Sequence, residues 1–225
     1  MLFALVVVSG SSVFLFKKRN GVFVKLLLAF SGAYLLSISV LHLIPEIYAD
    51  YSESIGVYIL IGFFLQIILE YFSKGIEHGH IHHHENEPFP IAIIASLCIH
   101  SFLEGMPLAD GDNDSLLLAI ILHKIPISIV LETLLLQTGL SKIKVIGWLA
   151  FFALMLPLGA VVSLLIGSEL THHSSKSSAI ILALVVGIFL HISTTILFES
   201  SENHKFNSYK LITIVIGAIL AFFSH

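Results

Sequence analysis

The sequence predicts an all-α, polytopic membrane protein with eight transmembrane helices, and three observations carry that prediction. Of its 225 residues 56% are hydrophobic and 12% charged, with a mean hydropathy of +0.97. A soluble chain of this size cannot bury so much apolar surface. The apolar residues come in long runs instead of one-sided stripes, as a hydrocarbon solvent demands. No run alternates like a barrel strand, and lipid offers backbone amides no partner, so the spans have to be helices. Cys98 is the only cysteine, which excludes a disulfide framework or a thiolate zinc cluster within one chain. A net charge of −4 gives no reason to expect nucleic acid as a partner; the lipid bilayer is the expected one.

In chain order the runs lie at about 2–16, 22–47, 55–73, 89–109, 115–137, 143–167, 178–199 and 208–223. They form a single transmembrane domain over 1–225, with one longer polar loop at 74–88. The first run has neither a basic start nor a small-residue cleavage site before KKRN, so it reads as a span and not a signal peptide. The first and last runs are short, so they are expected to lie at the bundle periphery or to begin within the interface. Several others exceed the roughly 20 residues that cross a bilayer, which permits tilt. Lys17, Lys18, Arg19 and Lys25 flank the first loop, and Lys74 the third. Lys142 and Lys144 mark the fifth, Lys205 and Lys210 the seventh, whereas the alternate loops contain only Lys176. The positive-inside rule then puts the odd loops in the cytoplasm and both termini outside. The outer loops are acidic, with Asp110, Asp112 and Asp114 together and Glu46, Asp50 and Glu53 nearby. Acidic mouths concentrate cations.

The fourth and fifth runs carry His100, Glu104 and His123 among hydrocarbon side chains. Ionisable groups inside a span are expensive and mark functional sites. His100 and Glu104 are four apart, hence on one helix face. His100 lies ten residues before Asp110 and His123 nine after Asp114, so both sit about 14 Å below the outer surface. That depth is the middle of a hydrocarbon core about 30 Å thick. Two neutral nitrogens and one carboxylate suit zinc and other first-row divalent ions better than magnesium or calcium. Pro107 frees the carbonyl of Leu103, and Pro126 that of Leu122, each beside a proposed ligand. The bland alternative is two histidines that merely bond neighbouring helices.

Other polar groups fall along the same axis. His42 and Glu46, four apart at the outer end of the second span, are candidates for an entrance. Glu132, His191 and Glu199 are candidates for an exit relay, against ordinary snorkelling or interhelical bonds. The loop GIEHGHIHHHENE holds His78, His80, His82, His83 and His84, a compositional metal-binding signal suited to capture on the cytoplasmic side. Its polarity and glycines predict a mobile segment. Gly32, Gly105, Gly147, Gly159, Ala160 and Gly187 are expected to let helices approach closely.

HSFLEG at 100–105 followed by HKIP at 123–126 resembles the fourth and fifth spans of the ZIP family of zinc and iron transporters. LHLIPE at 41–46 resembles the family's second span, PLGA at 157–160 its sixth, and GIFLHISTTILFES at 187–200 its seventh. The resemblance implies eight spans, outward termini, a His-rich cytoplasmic loop between spans three and four, and a homodimer. It also implies transport of Zn2+, Fe2+, Mn2+ or Cd2+ as cargo, with no resident catalytic cofactor. Where two-metal members carry acids, this chain has Lys124, Ile127 and Leu156. The centre is therefore expected to be mononuclear, with the Lys124 ammonium near Glu104 in place of a second cation. Ser101 stands where the family can have an amide ligand. The leading reading is a divalent-metal importer, not an enzyme, in a prokaryotic cell membrane. Its rivals are a membrane-embedded zinc hydrolase, with zinc on His100, His123 and His191, and a metal-sensing receptor.

Overall fold

The computed structural model describes residues 2–14, 21–50, 54–79, 89–110, 114–169, 174–199 and 208–224, and among these it contains helices and no strand. Helix α1 (Leu2–Ser11) runs into a 3-10 turn at Ser12–Phe14. The second span is one apolar rod in three parts: α2 (Gly21–Ile38), a π turn at Ser39–Leu43, and α3 (Ile44–Asp50). The cause of the wide turn is Pro45, which has no N–H for the carbonyl of Leu41 and would crowd it in a regular helix. The chain widens just before the proline, and the Ile44 N–H bonds the Ser39 carbonyl instead. Next come α4 (Ile55–Ser73), α5 (Ile91–Gly105), α6 (Asp114–Gln137), α7 (Lys142–Glu169), α8 (Ser174–Glu199) and α9 (Ser208–Phe222).

Six of these rods are long and apolar enough to cross a membrane: Gly21–Ala49, Ile55–Ser73, Ile91–Ala109, Asp114–Gln137, Lys142–Ile166 and Ser177–Phe198. Leu2–Phe14 and Ser208–Phe222 are shorter apolar helices. In packing, α4 lies against α8, α5 against α7 and α2 against α9. Helix α6 is enclosed by α1, α2 and α7. Val57, Leu60, Phe64 and Ile68 of α4, with Ile212, Val215, Ile216 and Ile219 of α9, face outward as a lipid-facing surface would.

Helices in lipid gain nothing from hiding apolar side chains, so they associate by close backbone packing. Gly62 on α4 faces Gly187 on α8, and Gly105 on α5 faces Gly159 on α7. A methyl added to Gly62 would lie 1.9 Å from the Leu184 carbonyl oxygen, and one on Gly187 2.0 Å from that of Ile59. The second pair repeats this, Gly105 onto Leu156 and Gly159 onto Phe102, each at 2.0 Å. Gly32 abuts Ile196, whereas Gly147 faces open space and has no such packing role.

Two local details place the site. Helix α4 ends in consecutive left-handed residues, Lys74 (φ 53°) and Gly75 (φ 71°), which turn the chain back on itself. The loop expected to be mobile therefore begins with an ordered 3-10 turn, Ile76–His78, whose three side chains are buried. Helix α5 tightens at its other end into a 3-10 turn at Met106–Asp110. The Met106 N–H bonds the Leu103 carbonyl, so Pro107 does not leave that oxygen free as its spacing suggested.

Candidate metal centre

The fourth and fifth spans bring three potential ligands together. His100 and Glu104 stand one turn apart on α5, and His123 faces them from α6; all three are fully buried. Glu104 Oε1 lies 3.1 Å from His100 Nε2 and 4.0 Å from His123 Nε2. One ligand atom from each residue falls within 4.8 Å of the other two. The imidazoles meet edge to face, with centroids 6.1 Å apart.

The donor chemistry decides what fits between them. Gln66 Oε1 lies 3.2 Å from His100 Nδ1. An amide oxygen only accepts, so this nitrogen carries the proton and Nε2 presents a lone pair. The Nε2 atoms of His100 and His123 and Oε1 of Glu104 are buried facing one another, while Oε2 of Glu104 is taken by an ion pair. Lone pairs buried opposite one another are costly unless something positive joins them. A divalent ion does so, and a two-nitrogen, one-carboxylate set is a zinc-type donor set.

Lys124, also fully buried, sends its ammonium to the other carboxylate oxygen, Glu104 Oε2, and lies 5.2 Å from the centre of the Phe152 ring. Ser101, beside His100 in the chain, is buried as well. Ile127 and Leu156 offer only hydrocarbon, so the described structure supplies one three-residue ligand group.

The remaining candidates lie apart. His42, in the π turn, donates from Nε2 to the Ala221 carbonyl at 3.0 Å, and Glu46 is exposed. Glu132 is buried on α6. His191 packs edge-on against Phe63 and pairs with a group the sequence reading passed over, Glu70 on α4. The second oxygen of Glu70 lies 3.1 Å from His78 Nε2. His80, His82, His83 and His84 lie outside the described residues, as does the side chain of Glu199.

Gln66 and Glu77 also went unmarked. Gln66 is fully buried and donates from Nε2 to Glu77 Oε2 in the turn after α4. Burial pushes the Glu77 carboxyl above its ordinary value. One signal was available: Gln66, Glu70 and Ser73 recur at the spacing of one helix face in an otherwise apolar span. Such a stripe points into a bundle.

Comparison with known proteins agrees with this geometry. A family model described as ZIP zinc transporter matches residues 89–225, which take in α5 through α9 and all three ligand candidates. The chain is also 23% identical over 256 residues to the zinc transporter zipt-7.1 of Caenorhabditis briggsae. That alignment takes in 83% of this chain and 65% of the worm protein, so the chain spans just under two thirds of that relative's length.

Proposed function

This chain belongs to the ZIP zinc transporter family, and from that premise we propose that it carries a divalent metal ion, zinc first, across a membrane into the cytoplasm. The observation that carries the reading is the convergence of His100, Glu104 and His123, whose buried lone pairs face one another at midspan. The ion binds there singly, because Lys124 already occupies the far side of Glu104.

The route follows the polar groups. Glu46 and His42 receive ions at the acidic outer mouth, and the Glu70 carboxylate between His191 and His78 passes them toward the basic, cytoplasmic side. Glu132 and Glu199 belong to the same exit path, and His80, His82, His83 and His84 capture released metal. A hydrolase that used His191 as its third zinc ligand is less consistent with this arrangement, since His191 is engaged by Glu70.

The test is uptake by purified protein in proteoliposomes loaded with a zinc-sensitive fluorophore. Zinc should enter from the side bearing the acidic loops, and Glu104→Ala should abolish most of the flux while the protein stays folded in the membrane. Near-normal flux in that variant would remove the site from the pathway.

A further inference from the structure

We propose that Gln66 is a positioning residue for the ion: it holds the His100 proton on Nδ1 so that Nε2 is free to bind metal, and Glu77 sets the orientation of its amide. The inference rests on the transport reading above for its consequence, but not for its geometry. The side-chain amide of Gln66 has one face that donates and one that accepts. Its nitrogen points to Glu77 Oε2 and its oxygen to His100 Nδ1 at 3.2 Å. Ionised, Glu77 can only accept and so selects this orientation over the flipped one, which would set oxygen against oxygen; protonated, it still offers the amide nitrogen a carbonyl oxygen. The flipped amide would press its N–H groups toward His100 and force the ring proton onto Nε2.

The alternative proton position is a real competitor. Glu104 Oε1 lies 3.1 Å from Nε2 and would accept a hydrogen bond from it. A ring protonated at Nε2 cannot ligate through that atom. Gln66 is therefore what tips His100 away from an internal bond with Glu104 and toward the ion. Outer partners of ligating histidines commonly act this way, and their loss weakens metal binding by about 10- to 100-fold. The arrangement also ties the base of the histidine-rich loop to the centre, because Glu77 sits in the turn Ile76–His78.

The experiment has two readouts on the full chain. In metal-free protein with 15N-labelled histidine, the His100 signals are identified by their loss in His100→Ala. The wild type and Gln66→Glu, which keeps an acceptor, should show Nδ1 protonated; Gln66→Met should show the proton on Nε2. Zinc affinity by competition with a chelator should fall about tenfold or more in Gln66→Met. It should stay within about threefold in Gln66→Glu and fall by a smaller factor in Glu77→Met than in Gln66→Met. A wild-type His100 protonated only at Nε2 overturns the proposal even if no variant folds. So does a folded Gln66→Met with unchanged tautomer and affinity, and an unchanged Glu77→Met removes Glu77 from it. A wild type that binds no zinc refutes the transport reading instead, and the tautomer still decides the role of Gln66.

Discussion

Replacing Lys124 by Met separates the two jobs of Glu104, which is partner to an ammonium and ligand to an ion. Both members of the pair are fully buried, so removing the ammonium leaves an uncompensated carboxylate, a change that typically costs about 3–5 kcal/mol. The same change releases Oε2 for the metal, so zinc should bind about tenfold more tightly, equivalent to about 1.4 kcal/mol. Uptake should weaken without vanishing, since an ion held harder leaves more slowly. The assay is denaturant unfolding of purified protein, once with chelator and once with saturating zinc. Glu104→Met combined with Lys124→Met should regain most of the metal-free stability, because no unpaired charge remains, and should not respond to zinc. The reasoning fails if Lys124→Met matches the parent in chelator, or if the double variant is no more stable than the single.

Three further outcomes are expected. Glu70→Gln should slow zinc release into the lumen of proteoliposomes while leaving equilibrium affinity at the centre within about twofold, and an equal loss in both would place Glu70 elsewhere. Gly62→Ala should destabilise by about 1–3 kcal/mol, because the new methyl would lie 1.9 Å from the Leu184 carbonyl; unchanged unfolding would contradict the close crossing. The buried Glu77 has its folded value raised above an ordinary 4.5, so its contribution to stability is complete below that value and lost as pH rises through the folded one. Thermal midpoints should therefore fall with rising pH in the parent and stay flatter in Glu77→Gln, and parallel curves would count against the burial of that carboxyl.

The helical architecture was legible because its cause is local: apolar runs of membrane length leave the backbone no other structure. The pairing of His100 with Glu104 was legible for a similar reason, since four-residue spacing fixes a face whatever the tertiary fold. His123 needed one more step, a short turn between antiparallel neighbours. What escaped notice were groups whose meaning depends on distant partners. Glu70 means little in the sequence until His191, 121 positions away, meets it. Gln66 and Glu77 likewise acquire meaning only when the turn after α4 brings them together. The left-handed turn at Lys74 and Gly75, which carries Glu77 inward, has no strong sequence signature at a lysine. Pro107 misled in a smaller way, because a tightened helix end gave the Leu103 carbonyl a different donor.

The facing glycines also limit how the bundle can rearrange. Where a carbonyl oxygen occupies the space of a missing methyl, two rods fit in one register alone. A slide of one turn, about 5.4 Å, would bring a Cβ-bearing residue of the same face, such as Gln66 in place of Gly62, toward that oxygen. Helices α4 and α8 thus behave as one double-width strut, and α5 and α7 as another. His123 and Lys124 stand on α6, outside both struts, while His100 and Glu104 stand on one of them, so the three-residue group straddles the edge of a strut instead of lying within it.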